Sequence, residues 1–167
     1  MAHDFVYTAN PARILFGPGS QARIADEIRR LDCRRALVLS TPARRDAALQ
    51  LQARLGELGA GVFGEAAMHT PVGVTERAMT AFAQAGADCV VAVGGGSTVG
   101  LAKAIAYRND APQIVVATTY AGSEVTPILG QTENGLKTTV KGPGVLPEVV
   151  IYDAELTLEL PLSLIHI

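Results

Sequence analysis

Gly94-Gly95-Gly96-Ser97-Thr98 follows the apolar run Cys89–Val93 and leads into a helical pattern that continues to Ala106. Glycines at the end of a strand let the backbone turn sharply and come close to a ligand. The helix beyond them offers unpaired N–H groups and the positive end of its dipole, so a phosphate or pyrophosphate is a natural occupant. Ser97 and Thr98 add hydroxyl donors, and either can instead cap the helix. The spacing matches neither common phosphate loop. The G-x-x-x-x-G-K-[ST] pattern fails because Leu101 follows Gly100, and G-x-G-x-x-G fails because Val99 or Ser97 occupies a glycine position. A second polar cluster, TTYAGSEVT (Thr118–Thr126), holds Thr118, Thr119, Ser123 and Thr126 around Gly122.

These clusters need a frame, and the surrounding pattern supplies one. The apolar segments Arg35–Thr41, Cys89–Val93 and Gln113–Thr119 do not alternate with polar residues. They are separated by helical patterns beginning at Gln21, Ala43, Thr75 and Thr98, which predicts a parallel sheet covered on both faces. A short strand is expected at "GVFG" and another at "EVVIYD". Ser20 is placed to cap the first helix. The segment "DFVYTANPARILFGPG" reads as an N-terminal hairpin broken at Asn10-Pro11, and Glu133-Asn134-Gly135 predicts a late hairpin between Ile128–Thr132 and Lys137–Val140. The fold class is therefore α/β: a Rossmann-like open, mostly parallel sheet with helices on both faces, plus N-terminal and late β-hairpins. In such sheets ligands bind beyond the carboxyl ends of the strands, where both polar clusters fall. The glycine turn is expected after the third strand of the sheet, not the first.

With 167 residues, 49% of them apolar and 5% aromatic, the chain suits one Ala/Val/Leu-rich domain with a sizeable core. A net charge of −2 and no basic run argue against nucleic acid and against an acidic membrane surface as partners. No apolar run approaches the roughly 20 residues of a membrane-spanning helix. Cys33 and Cys89 lie far apart in sequence, outside any CxxC, and read as isolated reduced thiols of a cytoplasmic protein without a signal peptide.

The motifs "GGGST…AKAIA", "TTYAGSE", Lys137 and "LPEVVIYDAELTLELP" together resemble the iron-containing alcohol dehydrogenase superfamily over Phe5–Pro161. The general pattern there is GGGS-x-x-D-x-x-K followed by TT-x-GTGSE. Gly100 stands where Asp is usual, and the second motif is one residue shorter, departures shared with the maleylacetate reductase branch, as are "LVLSTP" and "MHTPVGVTE". The resemblance implies a dehydroquinate synthase-like N-terminal domain whose usual partner, an all-helical second domain, is absent here. It further implies an NADH- or NADPH-dependent oxidoreductase, reducing maleylacetate to 3-oxoadipate in aromatic compound degradation. The full-length enzyme is expected to be a homodimer. Most of the superfamily hold Fe²⁺ or Zn²⁺ through one Asp and three His, whereas this branch implies no metal requirement, and no metal ligand is assigned here. Two alternatives stay open: another metal-dependent alcohol or glycerol dehydrogenase, and a non-catalytic nucleotide-binding module.

By this resemblance Gly94, Gly95, Gly96 and Ser97 would hold the pyrophosphate, and Thr118, Thr119 and Ser123 would line the cofactor cleft. Lys137 would reach the cofactor or, alternatively, be a solvated hairpin lysine. Lys103 reads as a helix-face residue near the sheet. Ser40 and Thr41 end the first parallel strand with no acid of the kind that holds a ribose 2′-OH, and Arg44 and Arg45, which follow, could meet a 2′-phosphate or merely begin a solvated helix. The scaffold is accordingly expected to tolerate both NADH and NADPH. His69 is a candidate for touching substrate or nicotinamide, or for a hydrogen bond within its loop. The catalytic residues are otherwise expected in the second domain, and residues 1–167 alone are expected to be inactive. Finally, "LSLIHI" (Leu162–Ile167) matches an in-frame translation of a transposase-type sequencing adapter. The domain limits are therefore read as 1–161 and a non-native tail 162–167, in which His166 has no role; six apolar residues that finish a helix are the other reading.

Overall fold

The computed structural model describes residues 12–158 and 160–161. Among these residues, six strands form one parallel sheet: β1 (Arg13–Phe16), β2 (Ala36–Leu39), β3 (Gly59–Phe63), β4 (Cys89–Gly94), β5 (Gln113–Ala117) and β8 (Val149–Tyr152), in the order β1-β8-β5-β4-β2-β3. β6 (Ile128–Glu133) and β7 (Leu136–Lys141) form a separate antiparallel hairpin. The central strands are apolar on both sides because both sides are covered. Ala36 and Val38 of β2, Cys89 and Val91 of β4, and Ile114 and Val116 of β5 pack under α1 (Ile24–Arg30) and α2 (Arg45–Leu55). The alternate residues Leu37, Leu39, Val90, Ala92 and Val115 pack under α3 (Val72–Gln84) and α4 (Gly96–Asn109).

The sequence expectations hold for the parallel sheet, the order of its central elements and the late hairpin. Two local readings change. The strand Arg13–Phe16 pairs in parallel with β8, and the other arm of the expected N-terminal hairpin lies outside the described residues. Because β1 joins the sheet, the glycine turn follows the fourth strand rather than the third. Ser20 also does not cap its helix: its hydroxyl donates to the Tyr152 carbonyl, and the first helical turn is a 3₁₀ turn at Ser20–Arg23. The capping falls to Asp153, whose buried carboxylate accepts N–H bonds from Gly19 at 3.0 Å and Gln21 at 3.1 Å. A charged acceptor satisfies orphan helix donors better than a neutral hydroxyl does, and β8 brings that acceptor alongside.

Strand order fixes where a ligand can sit. From β2 the chain leaves through α2 toward β3 on one face of the sheet; from β4 it leaves through α4 toward β5 on the other face. The connections diverge between β2 and β4, which leaves a crevice beyond their carboxyl ends.

Candidate functional site

The crevice is built first from backbone. Gly94 has φ 156°, a value that side-chain-bearing residues rarely adopt, and a Cβ there would collide with the Thr98 hydroxyl folded over it. Gly95 is the residue before the first turn of α4, and a Cβ on it would stand 2.7 Å from Thr119 Oγ1. Gly96 faces open space. The two polar clusters therefore meet. The Thr118 N–H donates to the Gly94 carbonyl at 3.0 Å, continuing the β4–β5 ladder and setting Thr119 against Gly95. The Thr98 and Val99 N–H groups close on the Gly95 carbonyl at 3.0 and 3.1 Å, which leaves the Gly96 and Ser97 N–H groups as the open donors at the start of this 14-residue helix.

Three buried hydroxyls at this pole, Ser40 Oγ, Thr98 Oγ1 and Ser123 Oγ, have no hydrogen-bond partner among the described residues. Such groups are costly to leave unmet and mark places where a polar ligand would complete the structure. Ser97 and Thr98 make no capping bond, so the capping reading of these hydroxyls is not what the structure shows. Ser40 lies at the end of β2; its backbone is engaged with Phe63 and Ala66, and its hydroxyl is left free. Thr41 opens the 3₁₀ turn Pro42–Arg44 and is half-buried. Beside it, a cavity of about 220 Å³ is lined by Arg44, Arg54, Gln21, Val93, Thr118 and Leu156. The two arginines that share one expectation are thus separated. Arg44 lines this cavity, whereas Arg45 folds over Gly64, with its Cγ 3.1 Å from where a Cβ there would be.

His69 and Lys137 approach from the other face. His69 and Thr70 both have left-handed backbone, φ 64° and 47°, in the turn before Pro71. His69 is exposed, and its ring makes no hydrogen bond to a described residue, so the expected loop bond is not formed. The turn is held instead through its neighbour: Thr132 N–H donates to the Thr70 carbonyl at 3.2 Å, bringing the hairpin against it. Thr70 is buried, with its hydroxyl over α4 where a Cβ at position 100 would have to go. That contact gives a steric reason for glycine at 100, where the family pattern has Asp. Lys137 is exposed on β7 opposite Thr132, its stem over Gly130.

Lys103, expected on a helix face near the sheet, is fully enclosed. It is 1% exposed, inside α4, and its ammonium donates to the carbonyls of Ser123, Thr126 and Ile128, the last at 2.9 Å, and to Thr126 Oγ1. Burial pushes its pKa down to about 8, against the opposing pull of the buried Glu124 carboxylate. Glu124 in turn accepts from the Tyr152 hydroxyl at 2.8 Å; burial and that carboxylate push the phenol well above its ordinary range. A signal is present in its surroundings: a lysine about two helical turns beyond Gly96, flanked by Leu101, Ala102, Ala104 and Ile105, all apolar.

A second surprise lies at the opposite pole. Cys33 and Cys89, read as isolated, converge with Asp88 so that their ligand atoms all lie within 4.8 Å of one another. Adjacent pairing of β2 and β4 causes this, and strand adjacency is invisible in a sequence. Burial pushes both thiols up, with Asp88 adding to the shift at Cys33 and Cys33 itself adding at Cys89. The Asp88 carboxylate is occupied by the Arg34 and Arg35 N–H groups at 2.7 and 2.9 Å. This trio is the sole metal-ligand-like group among the described residues, and it stands away from the crevice. The described residues at the crevice therefore do not make an iron site of carboxylate and imidazoles.

Fold and site together define a doubly wound α/β domain with an anion-cradling turn at its topological switch point. Sequence comparison carries this further: the model of the family "Iron-containing alcohol dehydrogenase" matches residues 11–154, and the chain belongs to that family. The maleylacetate reductase of Rhizobium sp. strain MTP-10005 is 70% identical over 160 residues, which is 96% of this chain and 46% of that protein. Its crystal structure superimposes with a TM-score of 0.92. Maleylacetate reductase from Agrobacterium tumefaciens is 67% identical with a TM-score of 0.94, over 98% of this chain and 47% of that one. A sulfoacetaldehyde reductase from Bifidobacterium kashiwanohense in complex with NAD⁺ shares the fold at 24% identity, TM-score 0.86, over 98% of this chain and 50% of that one. The chain thus spans about half the length of the relatives it matches. Among the described residues, no helix is long and apolar enough to cross a membrane.

Proposed function

We propose that this chain is the cofactor-binding half of an NAD(P)H-dependent maleylacetate reductase. One observation carries the reading: the glycine turn, the first turn of α4 and the Thr118–Ser123 loop converge at the carboxyl ends of β4 and β5, and three buried hydroxyls at that pole, one of them at the end of β2, have no partner among the described residues. Relatives named maleylacetate reductase at 70% and 54% identity support the substrate. In this reading Gly94, Gly95, Gly96 and Ser97 cradle the pyrophosphate with backbone N–H groups. Thr119 and Ser123 offer hydroxyls to it, and Thr118, Ser40 and Thr41 border the ribose. The nicotinamide, when bound, supplies the hydride. Lys137, exposed on the hairpin whose Thr132 bonds the Thr70 carbonyl, is assigned to the cofactor by the resemblance, where its positive charge would stand beside the phosphates or the dicarboxylate substrate. His69 stands at the same rim. As the resemblance implies, this reading assigns no metal requirement and no metal ligand to these residues. The remaining catalytic groups belong to the portion of the relatives that this chain does not span.

Arg44 lines the cavity beside Thr41 and no acid stands at the end of β2, which supports the reading that NADPH is accepted alongside NADH. The enzyme acts as a homodimer in the cytoplasm, a compartment that suits two neighbouring thiols left unbonded. Titration of the chain with NADH and NADPH tests the binding reading, and a saturable signal from neither would refute it. The activity is tested on the longer protein by following NADH absorbance with maleylacetate. A thousandfold preference for NADH would remove the role given to Arg44. Maleylacetate reduction by residues 1–167 alone would remove the assignment of catalytic groups elsewhere.

A further inference from the structure

The structure supplies a separate role for the buried lysine, which rests on the nucleotide reading above but concerns a residue outside the cradle. We infer that Lys103 is a positioning residue for cofactor binding: from inside α4 its ammonium holds the Ser123, Thr126 and Ile128 carbonyls and so fixes the Thr119–Ser123 wall against the glycine turn.

The geometry leaves the lysine little else to do. An ammonium has three protons, and four acceptors surround this one: three carbonyls and Thr126 Oγ1. With every donor engaged and 1% exposure, Lys103 cannot reach a substrate. The loop it holds has little order of its own. Between β5 and β6 there is one 3₁₀ turn, Ser123–Val125, closed by long N–H bonds of 3.3 Å from Val125 to Gly122 and from Thr126 to Ser123, and by the Thr126 hydroxyl donating to the Ser123 carbonyl at 2.9 Å. The three carbonyls on Lys103 therefore supply much of its fixed geometry. That geometry matters at the site because the same segment carries Thr119, which packs against Gly95, and Ser123, whose hydroxyl is unpartnered. Position 103 lies seven residues after Gly96, about two helical turns, so one rigid helix carries both the phosphate cradle and the anchor of the opposing wall. The ammonium converts two independent polar loops into one preformed site, and preorganisation lowers the cost of binding.

The test compares wild type, Lys103→Met and Lys103→Gln by NADH fluorescence titration and by amide hydrogen exchange on the whole chain. The expected result is a loss of NADH affinity of about tenfold or more in Lys103→Met, the scale set by removing hydrogen bonds from a charged donor. Exchange should rise across residues 120–128 while β4, β5 and β8 keep their protection. Lys103→Gln, which retains an amide donor, should fall between the two, and it serves as the test if Lys103→Met does not fold. Lys103→Ala should regain affinity with added propylammonium and not with propanol, a charge-specific rescue that a space-filling role would not show. Wild-type affinity within twofold in Lys103→Met and Lys103→Gln would overturn the inference. So would an exchange increase spread through the whole sheet, since the lysine would then only support the fold. Absence of saturable NADH binding by wild type defeats the nucleotide reading together with this one, whereas wild-type binding unaffected by the substitutions defeats this one alone.

Discussion

Gly95 and Gly96 are adjacent and identical in type, yet the structure gives them different tasks. A methyl group at Gly95 would press on Thr119, 2.7 Å from its hydroxyl and 2.9 Å from its methyl. Gly95→Ala should cost about 1–3 kcal/mol of stability by overpacking, read as a lower chemical-denaturation midpoint. Gly96→Ala meets nothing in the protein, so its midpoint should barely move while NADH affinity falls, because the open space is where phosphate oxygens belong. If both variants lose stability equally, the cradle is merely a tight turn. Gly100 supplies a coupled pair. Gly100→Ala should destabilise by a similar ~1–3 kcal/mol through Thr70, and Thr70→Gly, which also suits that left-handed backbone, should recover much of it. Additive losses in the double variant would disprove the contact. Gly94–Ser97 and the hydroxyls after β5 were legible because their chemistry is local. Thr70 was not, and of Lys103 only its apolar surroundings were, since each matters through a neighbour distant in sequence: Gly100 for one, the Ser123–Ile128 carbonyls for the other.

Among the elements, β1 and α1 are joined by a buried carboxylate. Glu27, 2% exposed at its side chain, accepts from Arg13 at 2.8 and 3.1 Å and from Arg30 at 2.6 Å. Burial alone would raise its pKa, but the two guanidiniums outweigh it and hold the carboxyl below its ordinary range. A carboxylate with a depressed folded pKa contributes stability that is fully present above the unfolded value, near 4.5, and is lost as the pH falls through the folded value. Glu27→Gln should therefore lower stability by ~1–3 kcal/mol at neutral pH, with the gap to wild type narrowing below about pH 4.5; the arginines are partly exposed, which keeps the figure modest. Equal gaps at pH 7 and pH 3 in urea titrations would contradict this. The parallel strands and helices were legible from unbroken Val/Ile runs and helical spacing. The start of α3 was not: Pro71 admits the helix at Val72, ahead of the first apolar-periodic residues, because proline tolerates the position just before or within a first turn. The pairing of β1 with β8 was not legible either, since nothing in a four-residue strand names its partner.

At the scale of the whole molecule, the two poles of the sheet divide the work. The carboxyl-end pole carries the crevice, and the amino-end pole carries Cys33 and Cys89, 6% and 0% exposed, with both thiols pushed up by burial. Both should react slowly with a disulfide reagent at neutral pH and at a rate that follows global unfolding, because no crevice motion uncovers them. Rapid native-state labelling of either one would show that this pole opens separately. The pairing of β1 with β8 also bears on how the chain is made. A ribosome releases Arg13–Phe16 early, but the strand it pairs with, Val149–Tyr152, emerges only after the other described strands have passed. The central strands and their helices can assemble in order of synthesis, while Arg13–Phe16 waits for that pairing. Val149–Tyr152 also seats beside β5, and the Asp153 carboxylate that follows closes on Gly19 and Gln21. A strand made late is thus the one that lets an early one dock.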